Sequence, residues 1–293
     1  MLSHTALKIY ALKQKMKTQI TLINTRLNQN SQKYYMKKLL LIPLLTLLCS
    51  CSVNTPKAEL QHKSFREAKL NMVEIFREMD NPKTLYCGCN IKFPKRGGYM
   101  PDLESCGYQS DRYAKNAKRI EAEHIMPAWE FGHKRRCWVK GHRRNCEHND
   151  AEFQAMHADL HNLYPAIGEV NSDRNNYSFT DSLSDDNYHK DFISGKKVRN
   201  HSRHKVRGYG QCEMVIDRSK EEAMPPVRAR GIIARAYLYM SSRYNIELEK
   251  DKKHLFQKWD KMYAPDKNEC LRNSRIRQIQ GHDNPFVSRQ CHY

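Results

Sequence analysis

No stretch of the 293-residue chain is apolar for long enough to cross a bilayer, which takes about twenty residues. The longest run, LLLIPLLTLL, stops after ten residues, Leu39 to Leu48. Acidic residues are missing from residues 1–50, which hold eight Lys or Arg. A CxxC pair is also lacking, which argues against a structural zinc site. No repeat and no linker interrupts residues 64–293, so one domain is expected there. Hydrophobic residues are scarce at 39%, below the roughly 45–50% of globular chains. Ten Cys and many aromatics keep this composition outside the disordered class.

Positive charge is what the chain has in excess. Removing the eight cationic residues of 1–50 from the formal +19 leaves +11 on the remainder. An excess of that size favours polyanions as partners, because each phosphate neutralised by Lys or Arg releases counterions. A soluble surface with a basic bias is the plainer reading of charge alone.

The short apolar run has the flanks of an export signal. Met36-Lys37-Lys38 precedes it and Cys49-Ser50-Cys51-Ser52 follows, giving a positive start, an apolar centre and a small-residue exit. Residues 36–52 are therefore expected to be a signal peptide. Residues 1–35 are then a translated upstream stretch, with a genuine extension anchoring the chain to a membrane as the alternative. Leu48-Cys49-Ser50-Cys51 also fits a lipoprotein cleavage box that would leave Cys51 lipidated. Residues 53–63 read as a linker.

Two of the ten Cys lie in the signal exit. The other eight are Cys87, Cys89, Cys106, Cys137, Cys146, Cys212, Cys270 and Cys291. An even number in an exported chain predicts a disulfide framework of four bridges. Cys137 with Cys146 is the pair that spacing supports, closing a tight basic loop. Cys87 and Cys89 are expected to find separate partners.

Ser64 is placed to cap a helix running to Asp80, with Leu70, Val73, Ile75 and Phe76 near one face. Residues 81–112, rich in Gly, Pro and Cys, read as loop with short strands. Ile120 to Met126 is short, mixed and stopped by Pro127, which suits a strand. Ala151 to Leu163 has helical spacing, and 181–207 reads as an exposed loop. Cys212 to Asp217 reads as a strand. Pro225-Pro226 opens a helix buried through Ile232, Ile233, Ala236, Tyr237 and Met240. Leu248 to Tyr263 is expected to be the last long helix, followed by a basic tail.

Residues 121–176 concentrate the groups that can do chemistry. Glu123 and His124 are adjacent and Asn162 follows at the end of the next segment. Hydrolysis of a phosphodiester needs an activated water, charge neutralisation and help for the leaving oxygen. Mg²⁺ takes oxygen ligands and keeps several waters, so one carboxylate and one amide carbonyl suffice from the protein. Glu123 and Asn162 meet that demand, with Mn²⁺ or Ca²⁺ able to stand in. His124 is then left to take the proton, a task suited to a neutral imidazole. A helix C-terminal cap is the competing use of Asn162. His161 is read as a packing or hydrogen-bonding residue. Trp129, Phe131 and Trp138 are read as core, with base stacking as the alternative.

EAEHIMPAWEFGH, RRCW…GHRRNC, DLHNLYPAIGEVNSDRNN and MPPVRARGIIARAYLYM together resemble the endonuclease I family of periplasmic and secreted bacterial nucleases. The likeness spans roughly residues 85–263, with the motifs in the family's order. It implies an α+β fold: a mixed α/β single domain, here 64–293, stapled by disulfides around a ββα-metal (His-Me finger) motif. By motif position it implies Glu123 and Asn162 as metal ligands, His124 as general base and Arg143 as the phosphate or transition-state contact. Arg135, Arg136 and Arg144 are rivals for that last role. The implied activity is sequence-non-specific cleavage of DNA, and of RNA, leaving 5′-phosphates, by a monomer in the periplasm or outside the cell. A basic module that captures polyanions without cutting them explains the charge, but not why Glu123, His124 and Asn162 occur together. The N-terminal extension and residues 181–207 do not match the family.

Overall fold

The computed structural model describes residues 64–95, 98–109, 114–183 and 206–292. The expected signal peptide and linker, the alternative lipidation at Cys51 and most of the expected 181–207 loop lie outside them. Among the described residues no helix is long and apolar enough to cross a membrane.

The chain begins with helix α1, Phe65–Arg77, capped where Ser64 Oγ accepts from Glu67 N at 3.2 Å. Its buried face is Ala68, Met72, Ile75 and Phe76. Those positions follow the 3.6-residue period, and Leu70, expected inside, is 61% exposed because it falls on the other side. A hairpin of β1, Asn90–Lys92, and β2, Met100–Asp102, follows. After the short helix α2, Ala114–Ala117, comes β3, Ile120–His124, the expected strand. Next are helices α3, Ala128–Gly132, α4, Arg136–Asn149, and α5, Ala151–His157.

The segment read as one helix to Leu163 divides. Helix α5 ends at His157, a 3-10 turn spans Leu160–Asn162, and β4 covers Leu163–Ile167. Pro165 sits inside β4 because the ribbon has only two strands, so one proline without an N–H is tolerated. Its carbonyl accepts from Leu85 N at 2.9 Å. β4 pairs antiparallel with β3, matching Glu123 with Tyr164 and His124 with Leu163. Helix α6, Gly168–Arg174, follows directly. A four-stranded sheet then forms in the order β5–β8–β7–β6, from Ser178–Phe179, Glu222–Met224, Cys212–Asp217 and Val206–Tyr209. The last two residues of the expected 181–207 loop, Val206 and Arg207, are therefore the first of β6.

Helix α7, Val227–Tyr244, starts where Pro225-Pro226 predicts and is buried from Ile233 to Met240. Ile232 is only half-buried. Helix α8, Lys250–Met262, packs along it, with Phe256 and Trp259 in the core. It is not the last long helix. The tail forms α9, Lys267–Gln280, and α10, Pro285–Ser288. The buried side of α9 is mostly polar: Glu269, Arg272 and Asn273 accompany Ile276. Glu269 takes both a 2.6 Å bond from Arg235 Nε and another from Nη2, inside the core. Arg272 donates to the carbonyls of Leu160 and Leu163. Helix α9 thereby holds the turn that leads into β4.

All eight Cys of the domain are bridged: Cys87–Cys212, Cys89–Cys106, Cys137–Cys146 and Cys270–Cys291. Cys87 and Cys89 do take separate partners, as expected.

Candidate active site

The end of β3 opens into a cavity of about 590 Å³ whose walls include Glu123, His124, Trp129, Arg143, Asn171 and Arg174. The order strand, strand, helix builds it. β3 delivers Glu123 and His124, β4 returns alongside, and α6 brings Asn171 and Arg174 back to the same side.

Glu123 is buried, and two groups meet its Oε1. Tyr86 Oη donates at 2.5 Å and Arg174 Nε lies 3.2 Å away. The second contact is an ion pair without hydrogen-bond alignment, since that buried Nε has no acceptor in line. Oε2 is the oxygen left for a cation. Burial raises the Glu123 pKa against the pull of Arg174 and Tyr86. For Arg174 burial opposes its charge, but Glu123 and nearby hydroxyls outweigh that and hold it protonated.

His124 Nε2 lies 2.8 Å from the His157 carbonyl. A carbonyl only accepts, so Nε2 carries the proton and Nδ1 is the basic nitrogen. The ring is stacked on His157 at 4.8 Å and 8° and on Phe65 at 5.0 Å. Burial lowers the His124 pKa to about 3, only partly offset by the bond to His157, so the ring is neutral. His157 in turn faces Arg143, whose Nη2 approaches its Nε2 at 2.6 Å. A guanidinium only donates, so His157 Nε2 accepts and this imidazole is neutral too, its pKa lowered to about 2 by burial first and by His124 next.

Arg143 comes from a segment that is helical rather than the expected loop. Helix α4 breaks at Gly141 and His142, the latter at φ 57°, and the Cys137–Cys146 bridge spans the break. After it Arg143 is half-buried at the cavity wall, bonded to Glu147 Oε1 at 2.9 Å. Its rivals do other things. Arg135 makes a bidentate pair with Asp150 at 2.8 Å for each bond and reaches Glu152. Arg136 and Arg144 are exposed and are not among the residues that wall the cavity.

Asn162 does not wall the cavity. It is fully buried, with Oδ1 accepting from Met126 N at 2.7 Å and Nδ2 donating to Met126 O at 3.0 Å. Both ends of the amide are spent on fixing the backbone just beyond His124. Its geometry is that of a clamp between β3 and the turn before β4, and not of a helix cap. Asn171, Asn175 and Asn176 are the amides that do wall the cavity, and Asn171 Nδ2 donates to Glu121 Oε2 at 2.9 Å. That bond fixes the amide plane and leaves Oδ1 as its acceptor. Asn171 and Arg174 were missed by sequence reasoning. Their signal is a three-residue spacing on the helix immediately after β4, which puts both on one face.

His161 behaves as expected, buried with Nε2 3.3 Å from the His282 carbonyl. Phe131 is core, whereas Trp129 is 45% exposed and Trp138 half-buried, so the core reading fails for Trp129. Among the described residues no group of three or more His, Cys, Asp or Glu could hold a metal. A cation here would meet few protein atoms, chiefly the oxygens of Glu123 and Asn171. Such hard, sparse donors fit Mg²⁺, which keeps most of its water.

The chain is 43% identical over 251 residues to a periplasmic deoxyribonuclease of Aeromonas hydrophila, covering 85% of this chain and 96% of the relative. An extracellular deoxyribonuclease of the same species is 42% identical, over 85% and 98% of the two chains. Endonuclease-1 of Buchnera aphidicola subsp. Baizongia pistaciae is 39% identical over 230 residues, 78% of this chain and 85% of that one. The sequence pattern of Endonuclease I matches residues 64–291, and the chain belongs to that family.

Proposed function

We propose that the protein is an exported, Mg²⁺-dependent, sequence-non-specific endonuclease that hydrolyses phosphodiester bonds of DNA, and of RNA, leaving 5′-phosphates. The observation that carries this reading is His124, locked by the His157 carbonyl, in one cavity with Glu123 and Arg143. In this reading β3, β4 and α6 form the ββα-metal motif. Water bound beside His124 loses its proton to Nδ1 and attacks phosphorus. Arg143 neutralises a phosphate oxygen, and the His157 carbonyl keeps the imidazole from rotating as it charges. A bound Mg²⁺ would supply Lewis-acid stabilisation of the phosphoryl and leaving oxygens. Glu123 Oε2 and Asn171 Oδ1 would hold it, Asn171 replacing Asn162 as the amide ligand.

The protein works in the periplasm or outside the cell, in line with the names of its relatives, and in this reading it acts as a monomer. A lipid anchor at Cys51 is the alternative form. Nicking of supercoiled plasmid in millimolar Mg²⁺, with EDTA as control, tests the activity, and a parallel RNA substrate tests its breadth. Oxidised protein that leaves both substrates whole in Mg²⁺ defeats the proposal.

Two further results are expected. Lys69, Arg119 and Arg143 wall the cavity, and three phosphate contacts imply a salt slope of about −2.7, or roughly 40-fold less binding between about 50 and about 200 mM salt. Affinity measured by titration that stays flat over this range would exclude phosphate-led recognition. The two asparagines separate by what they lose. Asn171→Ala keeps its melting temperature and weakens Mg²⁺ binding seen by calorimetry. Asn162→Ala unpairs two buried backbone groups and costs about 2–4 kcal/mol of stability. The opposite pattern would return the ligand role to Asn162.

A further inference from the structure

We propose that Trp129 is a stacking platform for an unpaired nucleobase next to the scissile phosphate, a role resting on the nucleic-acid reading above. Trp129 stands on α3, the helix that follows β3, and walls the same cavity as His124 and Arg143. One face of its indole lies against His133 at 4.0 Å and 5°. His133 Nδ1 donates to the Trp129 carbonyl at 2.8 Å, which fixes the imidazole as a backing plate. Trp129 remains 45% exposed, which leaves surface beyond the His133 contact open to a ligand.

The ground beneath it is rigid. Phe131 is buried, and Gly132 lets two more rings reach the α3 backbone. A Cβ there would lie 2.6 Å from Trp138 and 2.7 Å from Phe153. A large aromatic surface held flat, open and beside cationic groups has a nucleobase as its natural ligand. Stacking rewards any base, since all have a π face, and so it adds affinity without reading sequence. A base reaches the indole only after leaving the duplex stack. Single strands, frayed ends and nick edges are therefore favoured over intact duplex.

Binding of a short fluorescein-labelled single-stranded DNA, followed by anisotropy in EDTA with His124→Ala as parent, tests this without cleavage. An abasic strand of equal length and charge is the control. Trp129→Ala and Trp129→Leu should each weaken binding to the base-bearing strand roughly tenfold and leave the abasic strand unchanged. Trp129→Phe should restore most of the loss. Unchanged affinity of the Trp129→Ala and Trp129→Leu proteins for the base-bearing strand overturns the platform. So does an equal loss on both strands, which would mean a contact to the sugar–phosphate or a general disturbance of α3. A parent that binds neither strand defeats the nuclease reading first and this inference with it, and that result is visible before any Trp129 variant is made.

Discussion

Replacing His124 with alanine lowers the rate of plasmid nicking by about 10²–10⁴-fold, the range that a positioned general base supplies, while duplex binding survives. The separation follows from the contacts of the ring. His124 spends Nε2 on the His157 carbonyl and its faces on Phe65 and His157. None of those partners is a phosphate-binding cation, so removing the imidazole takes away the base and little of the electrostatic attraction. The cavity left behind is lined partly by aromatic rings, and some loss of melting temperature is expected as well. His124→Gln distinguishes that packing loss from the chemistry: it refills the space and still lacks a basic nitrogen. Either variant cutting at the wild-type rate would mean that another group activates the water.

Strong local signals in the sequence survive in the structure. β3 is visible because five mixed residues precede the Ile125-Met126-Pro127 stop, and α7 because Pro225-Pro226 precedes an apolar stripe. The Cys137–Cys146 bridge follows from spacing. The family resemblance placed Glu123, His124 and Arg143, which the fold gathers into one cavity. What stayed hidden has polar groups doing the work that apolar residues usually do. Helix α9 lacks an apolar period because its inner face is mostly Glu269, Arg272 and Asn273, each paired to a partner outside the helix. Its ends were still legible: Asp266 caps Glu269 N at 2.7 Å and Gly281 closes it at φ 82°, the signature of a capped helix. The placement of the two asparagines stayed hidden for a related reason. Asn162 and Asn171 flank the same strand, and only the folded register of β4 decides which amide reaches the cavity that Glu123 walls and which is consumed by Met126. Reading Ala151 to Leu163 as one helix, with no strand after it, removed that register.

Removing the guanidinium of Arg174 should be the most damaging single change in the domain. Arg174 is 1% exposed and ties the site together from behind. It pairs with Glu123 and donates to the carbonyls of His124, Ile125 and Asn175. Its guanidinium also lies 4.7 Å from the Phe179 ring. Arg174→Leu leaves the Glu123 carboxylate buried without its countercharge, a loss of about 3–5 kcal/mol. For a domain of this size that is roughly 10 °C in melting temperature. Arg174→Lys should recover little, because an ammonium cannot present the planar fork that reaches three carbonyls at once. Adding Glu123→Leu to Arg174→Leu tests the cause, since removing the stranded charge should return part of the stability though none of the activity. Recovery stays partial, as the carbonyls of His124, Ile125 and Asn175 would still lack their donor. An Arg174→Leu protein that melts with the wild type would show that the buried pair contributes nothing. A double variant no more stable than Arg174→Leu alone would place the loss in those carbonyl bonds instead of the ion pair.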